Sequence, residues 1–244
     1  MHQTRLQMRS TLLAAVMLSA MALVACGADP DQVESNILKG TVKDHAGTPL
    51  AGVKVTAWDA LENWSRVEGI TDAQGAYRIQ LDPERVTQYH VEAEMTVSWD
   101  GQDWLIKMHP ENQTMVPHEG GVRDLVWRVH GEMPGAGYYG GSVQVLANMD
   151  VVQFEFGDVE LDFVPNGPRI DGSTGAPFTM KLSDGNLRED VPLGRYTVTA
   201  RVAGESPLPL RLRVYDEGDF VSELDTGFQS HDGWSDRILE ITAD

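Results

Sequence analysis

Gly40-Thr41-Val42-Lys43-Asp44-His45-Ala46-Gly47-Thr48-Pro49-Leu50-Ala51-Gly52-Val53-Lys54-Val55 reads as a strand, a turn and a second strand. Val42 suits a half-buried strand. Asp44 and Gly47 supply turn chemistry, glycine because it tolerates positive φ. Pro49 has no N–H to donate, so it belongs just before a strand or on an edge. Beyond it, Val53, Val55 and Ala57 alternate with Lys54, Thr56 and Trp58, giving the second strand one apolar and one polar face.

A second signal follows at Thr71-Asp72-Ala73-Gln74-Gly75-Ala76-Tyr77-Arg78-Ile79. Residues 72–75 form a tight turn that delivers Tyr77, Ile79 and Leu81 onto one face. Gly-x-Val, Gly-x-Pro-Leu-x-Gly-Val-x-Val and Thr-Asp-x-x-Gly-x-Tyr, all present here, make the chain resemble the carboxypeptidase regulatory-like family. The resemblance spans roughly residues 37–131. It implies a seven-stranded sandwich of transthyretin type and a non-catalytic role. The zinc carboxypeptidase domain that this family accompanies has no counterpart in the sequence.

Upstream, Arg5 and Arg9 precede an uncharged apolar run over residues 10–25, too short for a comfortable membrane span of about 20 residues. The run ends in Leu23-Val24-Ala25-Cys26, which resembles the lipobox of bacterial lipoproteins. The resemblance implies cleavage after residue 25 and acylation of Cys26, the only cysteine, so a disulfide framework is excluded. Acyl chains contribute about 0.8 kcal/mol per buried methylene, which makes anchoring through several of them effectively permanent. Gly27 stands where an inner-membrane retention Asp would be, favouring an outer membrane where the cell has one. Removing residues 1–25 takes away two Arg and no acid, making the formal charge of −18 two units more negative. A surface of that sign repels phosphate backbones, so nucleic acid is not an expected partner.

The organisation expected is a leader (1–25), a tether (26–36), a first β-sandwich (37–131), a Gly-rich linker (132–141) and a second β-sandwich (142–244), all-β and antiparallel. From Tyr89 to Trp99 every odd position is apolar or aromatic and every even one polar, the mark of a strand with one wet face. Asp100-Gly101 signals a hairpin, with Trp104, Ile106 and Met108 on the return strand and Leu125, Trp127 and Val129 on a closing one. Residues 110–121 read as a polar, strand-poor loop of a length at which function becomes plausible. Four Gly and a Pro between 132 and 141 argue against regular structure there.

In the second half, strands are expected at Val152-Phe154-Phe156, Val159-Leu161-Phe163, Phe178-Met180-Leu182, Tyr196-Val198-Ala200-Val202, Leu208-Leu210-Leu212-Val214 and 238–241. Many short strands at regular spacing indicate a sandwich. Gly194-Arg195-Tyr196-Thr197-Val198 repeats the Gly-x-Tyr-x-(Ile/Val) pattern of Gly75 to Ile79, a short match that hints at the same superfamily.

His109-Pro110-Glu111 and His118-Glu119 place two imidazoles and two carboxylates in one loop, but their spacing fits no zinc motif. The acidic runs 216–219 and 232–236 lack the EF-hand spacing and read as turns at strand ends. No Gly-x-Ser-x-Gly elbow and no phosphate-cradling loop occurs. No metal and no cofactor is expected. Trp58 sits on the polar side of its strand and Trp64 nearby, with Tyr138 and Tyr139 in the linker. Such aromatics either pack under a loop at residues 61–65 or stack on a sugar ring; Trp99, Trp104 and Trp127 belong in the core. Two functions lead, a non-catalytic structural or protein-interaction module anchored to the membrane at Cys26 or a polysaccharide-binding module using Trp58 and Trp64, ahead of an uncommon hydrolase.

Overall fold

The computed structural model describes residues 32–62, 64–135, 137–147, 154–182, 185–231 and 234–243. The leader, Cys26 and the first part of the tether lie outside the described residues. Among the described residues, every regular element is a strand apart from one 3-10 turn, Phe156–Asp158.

The first half carries β1 (Ile37–Lys43), β2 (Lys54–Asp59), β3 (Arg66–Ile70), β4 (Ala76–Gln80), β5 (Gln88–Trp99), β6 (Gln102–Met108), β7 (Val116–Pro117), β8 (Gly120–Val122) and β9 (Leu125–Val126). β1 pairs antiparallel with β4 and, on its other side, parallel with β8 and then β9. The second sheet runs β3-β2-β5-β6, with β7 also on β5. The inward side chains of the two sheets, among them Leu38, Val42, Tyr77, Ile79, Val55, Ala57, Val91 and Met108, belong to one connected core.

Both turns of the opening motif form as their residues dictate. Asp44 Oδ1 accepts the Ala46 and Thr48 N–H groups, and Gly47 has φ +83°. Asp72 Oδ1 does the same for Gln74 and Ala76, with Gly75 at φ +70°. Asp100 and Gly101, at φ +51° and +75°, close the two-residue hairpin between Trp99 and Gln102.

Two expectations need correction here. Residues 110–121 are not strand-poor: β7 and β8 lie within or across them, because Val116 is fully buried and Gly120 adopts φ +116° against the start of β1. The sandwich therefore has more strands than the seven implied, and β1 gains parallel neighbours.

The second half carries β10 (Gly141–Ala147), β11 (Val159–Pro165), β12 (Phe178–Lys181), β13 (Leu187–Val191), β14 (Tyr196–Val202), β15 (Leu208–Val214), β16 (Glu217–Val221), β17 (Leu224–Thr226), β18 (Gln229–His231) and β19 (Trp234–Thr242). They form one sheet in the order β12-β11-β14-β15-β19-β10-β13, with β16, β17 and β18 attached to β15, β14 and β19. The start of β15 pairs with β14 and its end with β19, so a single strand serves two stretches of sheet. Phe156 does not continue a strand but sits in the 3-10 turn; Val152 lies outside the described residues. β10, with Val143 and Val145 buried, was not anticipated, and it pairs parallel with β19.

Among its described residues the stretch 132–141 holds no strand before Gly141, yet it is closed by backbone bonds from Met133 N–H to Gly137 C=O and from Tyr139 N–H to Gly131 C=O. The halves meet through side chains as well. Gln102 bonds both the Phe228 carbonyl and the Ser230 N–H, each at 3.1 Å. Arg195 bridges Asp100 and Asp225, and His45 Nδ1 lies 2.9 Å from the enclosed Asp171 carboxylate.

Gly40 marks the tightest junction. A Cβ built there would lie 1.8 Å from the Arg123 carbonyl oxygen, the same oxygen that accepts the Tyr77 hydroxyl at 2.6 Å. Gly40→Ala must push β1 away from the segment between β8 and β9, and overpacking of this kind costs about 2–3 kcal/mol. A urea-unfolding midpoint unchanged from the native protein would contradict this account.

Candidate functional site

Two places gather the side chains singled out above. The first is built around Asp59. Alternation along β2 turns Val53, Val55 and Ala57 inward, and Asp59 is the next residue in that series. Its carboxylate is almost fully enclosed. Oδ1 accepts the Leu61 N–H at 2.8 Å, the Glu62 N–H at 3.2 Å and the Thr87 hydroxyl at 2.8 Å. Oδ2 accepts Arg85 Nη1 at 2.7 Å.

Burial alone would raise the Asp59 pKa. The donors from Thr87, Leu61, Arg85 and Glu62 outweigh it and hold the group at about 2. Arg85 reaches on to Glu62 at 2.8 Å and Ser65 at 3.2 Å. The β2–β3 and β4–β5 loops are thereby clamped to one another. Trp64 stands on the first of them, 80% exposed.

The second place is the outer face of the β3-β2-β5-β6 sheet. Trp58 is half-buried there; its indole N–H donates to Glu92 at 2.6 Å, and the Arg66 guanidinium lies 4.9 Å over its ring. Its partners are thus the neighbouring strands rather than the loop at 61–65. Beside it opens a cavity of about 400 Å³ lined by Trp58, His90, Glu92, His109, Gln113 and Arg123. His109 Nδ1 lies 3.0 Å from the Tyr139 hydroxyl. Burial pushes the His109 pKa down, so the imidazole is neutral at pH 7. Trp64 does not line this cavity but a second opening with Glu62, Arg66 and Arg85, and the same Arg66 lies over the Trp58 ring.

His109 and His118 are also parted: His118 pairs with Glu119 at 3.2 Å. Among the described residues no group of three or more His, Cys, Asp or Glu side chains is placed to hold a metal ion. The acidic run 216–219 spans the connection from β15 into β16, with Asp216 and Gly218 at positive φ. Asp232 and Gly233 lie outside the described residues, as does Cys26. Sequence reasoning missed Asp59 altogether, although its inward place in the alternation was visible.

No family model matches the chain, and no curated protein matches it in sequence. Several solved structures overlay it loosely. The TIE protein of Bacillus anthracis is 11% identical with a TM-score of 0.33, over 86% of this chain and 34% of that one. The major pilin of Streptococcus pyogenes is 10% identical with a TM-score of 0.28, over 86% and 96%. Chlorocatechol 1,2-dioxygenase from Pseudomonas putida is 18% identical with a TM-score of 0.21, over 41% and 62%. The chain thus spans about a third of the first of these and under two thirds of the last. At such scores the overlays assign neither a family nor an activity.

Asp59→Ala leaves four donors without their acceptor and costs about 3 kcal/mol. Because Asp59 titrates near 2 when folded and near 3.8 when free, its contribution is complete above about pH 5 and fades as the pH falls toward 2. Urea unfolding at pH 7 and at pH 2.5 should therefore show the gap between native and Asp59→Ala narrowing in acid; a constant gap would refute the assignment.

Proposed function

We propose that the mature chain is a non-catalytic structural or protein-interaction module of the cell envelope, tethered by lipid on Cys26. Residues 37–131 and 142–244 act as its two β-sandwich domains, joined at 132–141. The observation that carries the module reading is the use made of its carboxylates. Asp44, Asp59, Asp72 and Asp124 accept hydrogen bonds from backbone amides of the chain itself, and so serve to close loops and join strands. The resemblance of residues 37–131 to carboxypeptidase regulatory-like domains points the same way. The Leu23 to Cys26 motif supports the anchor, Gly27 the outer membrane, and the acidic charge a partner other than nucleic acid.

Metabolic labelling with a fatty acid tests the anchor. Label is expected on the native chain and absent from Cys26→Ser; equal labelling of both would overturn the tether.

The cavity beside Trp58 favours a second reading, a polysaccharide-binding module. An indole edge, two imidazoles, a carboxylate and an amide around one opening offer the mixture of apolar and hydrogen-bonding groups that a sugar requires. Because Trp64 does not line this cavity, a polysaccharide pull-down should lose binding in Trp58→Ala and keep it in Trp64→Ala. Loss in both variants, or in neither, counts against this site.

A further inference from the structure

The most exposed large apolar side chains among the described residues cluster at one end of the first half. Leu61 is 78% exposed, Trp64 80% and Val86 81%. Leu61 and Trp64 belong to the β2–β3 loop and Val86 to the β4–β5 loop. Arg85 and Thr87, both bonded to Asp59, lock these loops together, so the apolar side chains stand on an ordered base. Apolar side chains so exposed are normally scattered singly, whereas a group on a rigid base marks a surface of interaction.

The chain reaches the body at this same end. β1 starts level with the end of β4, Ile37 opposite Gln80. The Leu81 N–H donates to the Asn36 carbonyl at 2.8 Å, and the Ala60 N–H to the Gln88 carbonyl at 2.9 Å. Val33, itself largely exposed, immediately precedes this junction. Asn36 follows Cys26 by ten positions, a reach of at most about 35 Å.

We propose that this end is the membrane-facing surface of the protein, and that Leu61, Trp64 and Val86 enter the interface of the bilayer that holds acylated Cys26. The proposal rests on the lipid-anchor reading above. An anchor this close presents the patch to the bilayer at an effective concentration on the order of millimolar. Three side chains then suffice where a free protein would need a larger apolar surface. Trp64 takes the headgroup level, where indole rings are favoured. The two loops also carry Glu62, Asp82 and Glu84, only partly offset by Arg85, so the surface selects zwitterionic over anionic headgroups.

The test uses the full-length protein, acylated in a host that processes lipoproteins and placed in phosphatidylcholine vesicles with brominated acyl chains. Intact mass reports acylation first. Bromine is then expected to quench a part of the tryptophan emission that is missing in Trp64→Phe. The quenching should fall by half or more in the double variant Leu61→Ser, Val86→Ser, and weaken when phosphatidylglycerol replaces part of the phosphatidylcholine. An acylated chain whose Trp64 emission escapes quenching overturns the proposal and leaves the anchor standing. Quenching unchanged by the double variant also overturns it, since proximity alone would explain the signal. Self-association of the acylated chain through the patch, abolished by Trp64→Asp with no quenching at any stage, reassigns the surface to a second copy. An unacylated chain overturns the anchor and this proposal together.

Discussion

The contact between β1 and the segment joining β8 to β9 holds the first half together. Gly40 allows the Arg123 carbonyl to approach where any side chain would collide with it. The Arg123 and Trp127 N–H groups donate to the Lys39 and Lys43 carbonyls, and Asp124 takes both the N–H and the hydroxyl of Thr41. β1 is thereby bonded along both edges, antiparallel to β4 and parallel to β8 and β9. A strand paired on one side only would leave a row of donors and acceptors unmet beneath the core. Tyr77 closes the arrangement by setting its hydroxyl on the same carbonyl, and burial raises its pKa well above the ordinary phenol value. That hydroxyl therefore remains a donor throughout the working pH range.

The other residues of the opening motif have comparable duties. Thr71 is buried and its hydroxyl accepts the Val53 N–H while donating to the Leu50 carbonyl. Gly75, at positive φ, comes within 2.5 Å of the Val42 carbonyl at the point where a Cβ would stand. The motif is thus a set of close approaches and loop closures. The parallel pattern in the second half works differently. Tyr196 is equally buried but bonds the Pro192 carbonyl four residues upstream, and it packs edge-on against Phe163 and Phe178. One short sequence pattern therefore supports a long-range tie in one half and a local one in the other.

Electrostatics in this acidic chain is mostly local. Ion pairs such as Arg66–Glu68 and Arg128–Glu111 are exposed and contribute little to stability. The Asp59 cluster differs because its carboxylate is enclosed and meets four donors. It turns two loops that would otherwise move independently into one surface, from which the exposed side chains Leu61, Trp64 and Val86 are presented. The outer face carrying Trp58 is organised by side chains of adjacent strands, and its cavity is framed by loops after β6 and after residue 133.

Local chemistry made much of this legible from the amino acids alone. Period-two alternation located β2, β5, β6, β11, β14 and β15, since each has one face in the core and one in water. Asx acceptors followed by glycine placed the turns at 44–47 and 72–75, and Asp-Gly placed the hairpin at 100–101. β7 and β8 were not legible, because strands of two or three residues have no period to read; their pairing depends on β5 and β1 being in place. Phe156 alternates like a strand residue but turns in a 3-10 element, where the Asp158 N–H bonds back to the Glu155 carbonyl instead of to a neighbouring strand. That Trp58 and Trp64 line different openings likewise escaped the chain order. Neighbours in sequence, they sit on the sheet face and at the loop end, because the strand stops at Asp59 and its buried carboxylate folds the next residues away. What the sequence determined by itself was the all-β class, the turns and the inward faces, all of which depend on residues within a few positions of one another. Which edges meet, which carboxylate is enclosed and which apolar side chains stay in water were decided by the tertiary structure, because each depends on groups that only long-range pairing brings together.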